Sequence, residues 1–467
     1  MKDIKNLCVT EHYSFNSKDD YIFMDVNTLD IYILDEIDNE IIKVLIKAHE
    51  NKCLNTLIAK YGDLVIMNKI NELYATGIIK KSVINKKENA RNSICDKDDP
   101  ESINAIDIFI SDTCNLACKY CFVYKDSSHY RSDLMKLEVG EKAIDFLLKK
   151  SGKKKNLFVC FFGGEPLINF RVLKRIVIYA LKEGVRNNKY FNFSITTNGT
   201  LFSDEIVEFI AEYKIQVLIS IDGDKFSQNL NRPLSDGGES YSGIVNNLKK
   251  LDRRNISYSA RATVSSLTKN RIFNNYEHLN SLGFKRIRFE NAFAPEGEMF
   301  INRRNDIEEI KDQYSLISKR VNHFIRSKKY YNLETLPLPM ERIATKSPGF
   351  YSCTAGKGFV AVDVNGDIYL CHRFVRNGEF YMGNVVNNTF DIKWPKIIIN
   401  EMSVENRRKC GKCWARYICG GGCYAINYEF NSDIFLAPKI YCSLMKYTIK
   451  QALTIYITAI RQRGNFH

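Results

Sequence analysis

Long apolar runs are missing from this chain. The most apolar late stretch, Tyr447 to Ile460, is broken by Lys450 and Gln451 and falls short of the roughly 20 residues that a membrane-spanning helix needs. Residues 1–7 likewise lack the apolar core of a secretory signal, so a cytoplasmic location and no membrane partner are expected. Low-complexity segments and internal repeats are absent, which excludes solenoids and repeat arrays. Acidic residues are in the minority, with 54 Asp and Glu against 68 Lys and Arg, a formal charge of +14. A nucleic-acid partner would call for cations gathered on a recognition motif. Here they are scattered and no such motif accompanies them, so no nucleic acid is expected. The remaining composition is ordinary. At 467 residues with 45% hydrophobic and 26% charged residues, the chain has room for two or three globular domains.

Cysteine is the exception. Ten of the 14 cysteines fall into two spaced groups. The first is Cys114-x3-Cys118-x2-Cys121. The second begins with Cys353, Gly366 and Cys371, continues as Cys410-x2-Cys413-x5-Cys419-x3-Cys423, and ends at Cys442. In a cytoplasmic chain such spacing argues for metal binding and against a disulfide framework. Three thiolates hold only three irons of a four-iron cluster, so the first group leaves one iron for another ligand. The second group has thiolates enough for two clusters. Zinc is the alternative for either group, since C-x2-C pairs also suit zinc ribbons. Cys8, Cys53, Cys95 and Cys160 read as plain thiols.

The pattern along the chain divides it into parts. Residues 12–81 read as a small winged-helix-like module. It has a hairpin (Tyr21 to Val26 and Leu29 to Leu34, turning at Asn27 and Thr28), a helix capped by Asp35 or Asp38, two further helices and a short strand. Its third helix is too apolar to favour DNA binding. Residues 82–103 are polar and charged and read as a linker. Across 104–300, strands at 106–110, 157–162, 191–196, 216–221, 258–264 and 286–290 alternate with helices. This is an α/β pattern whose six units predict a partial (β/α)6 TIM-like barrel with its site at the C-terminal strand ends. Residues 301–346 read as a charged helical bridge, 347–446 as a cysteine-rich domain and 447–467 as a C-terminal helix.

With Tyr120 just before its last cysteine, the first group resembles the three-cysteine motif of the radical S-adenosylmethionine (SAM) enzymes. Phe162-Gly163-Gly164-Glu165-Pro166, Thr196-Thr197-Asn198-Gly199, Ser220-Ile221-Asp222-Gly223 and Arg261 fall in or at the ends of successive strands, as in that family. The second group is similar to the SPASM domain of peptide-modifying members. The N-terminal module resembles a PqqD-like precursor-recognition element. The likeness implies one SAM-binding and two auxiliary [4Fe-4S] clusters, with S-adenosyl-L-methionine cleaved to a 5′-deoxyadenosyl radical. It assigns Gly163, Gly164, Glu165, Asn198, Ser220, Asp222 and Arg261 to the cosubstrate, with Glu165 on its ammonium and Arg261 on its carboxylate. Asp222 and Asn198 also have a plainer reading, as turn and strand-end residues.

By the same resemblance, Cys410, Cys413, Cys419 and Cys442 fill one auxiliary cluster, and Cys353, Cys371 and Cys423 hold the other. Ser347 stands where some relatives supply a fourth cysteine to that second cluster, so it is expected to keep an open iron for a substrate thiolate, or to take a ligand of another type. Sulfatase-maturing relatives carry an acidic base directly after the second auxiliary cysteine. Here the residue is His372, a candidate base or a supporting residue. The resemblance therefore points to a maturase that forms thioethers in a cysteine-rich precursor peptide, drawing electrons from an external flavodoxin- or ferredoxin-type donor. Formylglycine formation on a sulfatase, a carbon–carbon crosslink, and a non-catalytic redox sensor or peptide-binding protein are the rival readings.

Overall fold

A computed structural model describes residues 7–17, 20–46, 51–81, 99, 102–124, 133–293, 302–329, 332–333 and 337–463. The first module comprises β1 (Leu7–Val9), β2 (His12–Ser17), β3 (Asp20–Asp25), β4 (Ile31–Leu34), α1 (Glu36–Ile46), α2 (Asn51–Tyr61), α3 (Asp63–Ala75) and β5 (Ile79–Lys81). At the β3–β4 turn the Asp25 carboxylate accepts from the backbone N–H groups of Asn27 and Thr28 at 2.8 and 3.0 Å, an Asx turn. Asp35 and Asp38 cap α1 reciprocally, each carboxylate accepting the other's N–H. Phe23, Ile41, Ile42, Ile66, Ile70, Leu73 and Ile79 form its buried core.

The expected hairpin of Tyr21 to Val26 and Leu29 to Leu34 corresponds to β3 and β4, and two further strands accompany it. β2 adds a third antiparallel strand beside β3, and β1 pairs with β5. Neither strand announces itself, because β1 has three residues and β2 interleaves its aromatics with polar residues. Most of the expected linker, 82–98 and 100–101, lies outside the described residues.

Six strands follow in parallel and in chain order: β6 (Ala105–Ser111), β7 (Asn156–Gly163), β8 (Tyr190–Thr197), β9 (Gln216–Ser220), β10 (Tyr258–Val264) and β11 (Arg286–Asn291). Between them run α4 (Leu137–Lys150), α5 (Phe170–Asn187), α6 (Asp204–Glu212), α7 (Lys225–Asn231), α8 (Tyr241–Arg253) and α9 (Ile272–Ser281). Except for α7, whose buried residues are Ser227, Gln228 and Asn231, the helices turn an apolar stripe toward the sheet, as Leu173, Ile176, Val177 and Ala180 do in α5. Strand β10 shows the alternation that builds the site. Tyr258, Ala260, Ala262 and Val264 are buried under the helices, while Ser259, Arg261 and Thr263 are less covered on the other face.

The sheet does not close. Beyond β6 it continues through β12 (Phe359–Val362), β13 (Asp367–Tyr369), β14 (Tyr381–Asn384) and β15 (Thr389–Phe390), giving ten strands. Helices α10 (Ile307–Arg326) and α11 (Pro337–Ala344) join the two halves. The chain then adds α12 (Lys393–Glu401), α13 (Arg416–Cys419), α14 (Tyr424–Asn431) and α15 (Lys439–Arg463). The last helix starts eight residues before the expected 447, which places Cys442 in its first turn.

The N-terminal module docks on the cysteine-rich half. Glu11 receives both terminal nitrogens of Arg416 at 2.5 and 2.6 Å, and Asn27 accepts a third bond at 2.9 Å. Tyr13 stacks on Trp414 with centroids 3.6 Å apart. Met24, Val26 and Leu29 share a buried cluster with Ile343, Phe350, Val404 and Leu453. Arg416→Ala should weaken this contact by about 2 kcal/mol, the worth of a charge-assisted bond. The check is faster amide exchange in β2, with the rate in β8 unchanged.

Candidate functional site

The carboxyl ends of the parallel strands open into a cavity of about 160 Å³ lined by Cys114, Cys118 and Cys121, and by residues from every strand of the half-barrel except β6. The cysteine loop follows β6. The Cys114 sulfur accepts from the Leu116 N–H at 3.4 Å and lies 3.8 Å from Asn198 Nδ2. The Cys118 sulfur accepts from Arg232 Nη1 at 3.6 Å. Burial pushes Cys114 up to about 12 and Cys118 up to about 11, and nearby thiols add to it, Cys118 and Cys121 acting on Cys114 and Cys121 acting on Cys118. All three are free thiols. Thiolates in such surroundings need a cation to hold them ionised, and an iron–sulfur cluster fits that demand.

Of the residues expected to meet a cosubstrate, Gly163, Gly164, Asn198, Ser220 and Arg261 line this cavity. Gly163 has φ +126°, and a Cβ there would lie 2.3 Å from the Ser111 carbonyl oxygen, so only glycine lets β7 pass β6 at this point. Gly163→Ala should cost about 3 kcal/mol, measured as a drop in the unfolding midpoint of the apoprotein. Asn198 is held between the cysteine loop and its own, donating to Asn115 Oδ1 at 2.8 Å and accepting from Thr200 Oγ1 at 2.6 Å. Arg261 projects from the open face of β10, where burial pulls its pKa down.

Two other residues expected at the cosubstrate, Glu165 and Asp222, do not line the cavity. Glu165 is fully buried, and its carboxylate is not on the cavity wall. It accepts from Leu167 N at 3.1 Å, Thr197 Oγ1 at 2.7 Å and Asn198 N at 2.7 Å, fastening the loop after β8 to the end of β7. Burial pushes its pKa up to about 7 against these bonds. Asp222 is also buried and turned inward. It accepts from Arg232 Nε at 2.9 Å, Asn231 Nδ2 at 3.1 Å, the Thr263 N–H at 2.8 Å and the Tyr120 hydroxyl. Both carboxylates act by positioning other groups.

His372, expected as a base or a supporting residue, does not line the cavity either. Its Nδ1 pairs with Asp107 Oδ2 at 2.7 Å inside the half-barrel, and its ring lies 5.1 Å from that of Phe162. It does not reach the cavity. Its neighbour Arg373 does, lying over the Phe122 ring at 5.4 Å with Nη2 shared between both Glu429 oxygens at 2.9 Å.

The three charged residues on the cavity wall that escaped the sequence reading are Arg232, Glu290 and Arg373. Glu290 ends β11. Burial alone would raise its pKa, but Arg288, Arg261 and Arg373 outweigh that and hold it below the usual carboxylate value. The cavity therefore presents three guanidinium groups and one ionised carboxylate, a wall suited to a zwitterionic ligand.

The downstream cysteines interact in two sets. Cys410, Cys419 and Cys442 each lie close enough to Cys413 for it to raise their pKa, and Cys423 does the same to Cys353 and Cys371. All seven are free thiols, and burial pushes Cys419 up to about 11. By the same donor chemistry both sets fit iron–sulfur clusters. Ser347 is exposed, bonded to the Thr345 carbonyl at 3.3 Å, and Cys160 is in β7 beside Thr196. Tyr441 lies between the sets, close enough to feel Cys419, Cys423 and Cys442. Its ring meets Phe293 of the cavity wall at 6.4 Å.

Residues 108–269 match the radical SAM superfamily and residues 353–414 match SPASM, an iron–sulfur cluster-binding domain. The chain is similar to the radical SAM cyclopropyl synthase TigE of Paramaledivibacter caminithermalis, 23% identical across 97% of each protein. It is also similar to a cysteine-type anaerobic sulfatase-maturating enzyme of Clostridium perfringens, 26% identical over 72% of this chain and 92% of that enzyme. Among solved structures, anSMEcpe with bound AdoMet superposes at a TM-score of 0.66 (22% identity, 77% of this chain, 95% of that one). Streptococcus suis SuiB bound to precursor peptide SuiA superposes at 0.55 (16% identity, 93% and 98%).

Proposed function

We propose that this chain, a radical SAM enzyme carrying a SPASM iron–sulfur domain, matures a ribosomally made, cysteine-rich precursor peptide by thioether crosslinking. It uses a [4Fe-4S] cluster and S-adenosyl-L-methionine, and the SPASM domain binds further iron–sulfur. Cys114, Cys118 and Cys121 would hold the first cluster. Bound there and reduced, S-adenosylmethionine supplies a 5′-deoxyadenosyl radical that takes hydrogen from carbon.

The observation that carries the peptide reading is a juxtaposition. Arg373 spans from the cavity wall to the three-thiolate set, feeling Cys371 and Cys423. A substrate side chain in the cavity thus lies beside a set that lacks a fourth cysteine among the described residues. Arg261 and Arg232 suit the carboxylate of the cosubstrate, and ionised Glu290 suits a cationic or hydroxyl group. Phe122, Phe162 and Phe293 line the cavity with apolar surface and exclude water from a reactive intermediate.

The docked N-terminal sheet, PqqD-like in this reading, offers a free edge at β2 or β4 on which a leader peptide can add as a strand. SuiB with SuiA, and anSMEcpe with a Cp18Cys peptide, are neighbours that hold peptides. A flavodoxin- or ferredoxin-type donor would reduce the clusters. Among the described residues no helix is long and apolar enough to cross a membrane, and the cytoplasm suits this chemistry.

The likeness to TigE across the whole chain, N-terminal module included, favours a second reading in which the new bond joins two carbons. Both readings remove two hydrogens from the peptide. They part on thiol count. After coexpression with a neighbouring cysteine-rich precursor, a mass loss together with loss of one alkylatable thiol supports the thioether. A mass loss with every thiol still alkylated supports the carbon–carbon bond, and no mass loss sinks both.

A further inference from the structure

Each of the three cysteine sets has a buried guanidinium beside it. Arg232 meets Cys118, Arg373 stands by Cys371 and Cys423, and Arg407 stands by Cys410 and Cys442. The first two have carboxylate partners, Asp222 and Glu429. Arg407 has none among the described residues. Only 4% exposed, it spends its Nε on the Phe435 carbonyl at 2.7 Å, while Nη1 and Nη2 are buried with no hydrogen-bond partner. A buried guanidinium with idle donors is costly unless an acceptor meets it.

Its setting says where that acceptor lies. Cys419 is followed by Gly420, Gly421 and Gly422, all with positive φ (74°, 98° and 82°). A Cβ on Gly421 would lie 2.1 Å from Arg407 Nη1, so the guanidinium packs directly against the backbone that wraps this thiolate set. The Gly421 N–H in turn bonds the Cys419 sulfur. The Arg407 carbonyl accepts from Gly411 N at 2.7 Å, tying the same residue to the turn between Cys410 and Cys413. Arg407 is therefore fixed at both ends of the loop, with its free donors on the cysteine side.

We propose that Arg407 is a positioning residue for the auxiliary cluster of Cys410, Cys413, Cys419 and Cys442, donating Nη1–H and Nη2–H to its sulfur atoms and raising its reduction potential above that of an unassisted cluster. Extra negative charge on reduction is stabilised by the adjacent cation and by hydrogen bonds to sulfur. The inference goes beyond the peptide reading and stands whichever bond the enzyme forms. It would set this cluster as the place where an electron released by the substrate comes to rest.

The test is a redox titration followed by electron paramagnetic resonance on full-length, reconstituted protein. Cys114, Cys118 and Cys121 are replaced by alanine so that only auxiliary signals remain. Arg407→Met should lower one midpoint potential by about 59 mV, a tenfold change in a one-electron equilibrium, and leave the other unchanged. Arg407→Lys, which keeps the charge and loses the fork, should shift the same midpoint by less and provides the readout if the methionine variant does not hold its clusters. Unchanged midpoints in a cluster-replete variant would overturn the proposal.

Discussion

Protein carrying Cys371→Ala or Cys423→Ala should cleave S-adenosylmethionine at close to the native rate yet yield at least about 100-fold less modified peptide. The two reactions draw on different parts of the molecule. In the proposed reading cleavage depends on the loop after β6 and on the strand ends of the half-barrel, braced by Glu165 on Thr197 and Asn198, by Asp222 on Arg232 and, from the SPASM domain, by Arg376 on Asp112, none of which either substitution removes. Peptide modification in the proposed reading needs the three-thiolate set across the cavity. Removing one of three thiolates takes away the set as a unit, since two cannot hold a cluster.

Arg373 lies between the two halves and is the expected point of leakage. It loses the neighbouring thiolate, but its paired bonds to Glu429 persist, so the cavity keeps its wall. The check is parallel quantification of 5′-deoxyadenosine and of peptide mass. Equal loss of both products would show that the auxiliary set serves cosubstrate cleavage itself, and the division of labour would fall.

Much of this architecture is legible because barrel chemistry gathers at strand ends. The six strands carry β-branched and aromatic residues in short runs bounded by turn signals, and their expected limits differ from the observed ones by at most one residue. The cysteine spacings likewise group thiols that the fold does bring together. What escaped reading was set by partners distant in sequence. Arg232 follows α7 with no local signal. It reaches Cys118 because the segment around it pairs with the cysteine loop, Ala117 N donating to the Pro233 carbonyl and Lys119 N to that of Asn231. Glu165 and Asp222 were recognisable as functional carboxylates, but what they hold depends on which donors reach them, and Thr197 and Asn198 for the first and Tyr120 and Thr263 for the second come from distant segments. The same holds for His372, whose position after Cys371 suggested a base while Asp107, 265 residues away, claims its ring.

Asp222→Ala should be the most damaging single change away from the cysteines. Its side chain is fully covered and answers four donors at once: a guanidinium, an amide, a backbone N–H and a phenol. Deleting it leaves Arg232 as a buried charge without its counter-ion, at a cost of about 3–5 kcal/mol. The effect does not stop at stability. Arg232 lies 5.2 Å over the Tyr120 ring, and Tyr120 hangs on the same carboxylate between Cys118 and Cys121. Once Asp222 is gone, the phenol and the guanidinium both lose their anchor, and with them goes the placement of two of the three thiols that line the cavity.

The expected result is a lower unfolding midpoint in apoprotein together with iron retention reduced by about one cluster in reconstituted protein. Asp222→Asn keeps the shape and an acceptor oxygen but no charge, so it should restore the fold in part while Arg232 stays under-compensated. A merely structural role would let both variants recover iron once folded. If Asp222→Ala folds and retains full iron, then the carboxylate does not organise the cysteine loop, and Arg232 must be held by the cluster sulfur it faces.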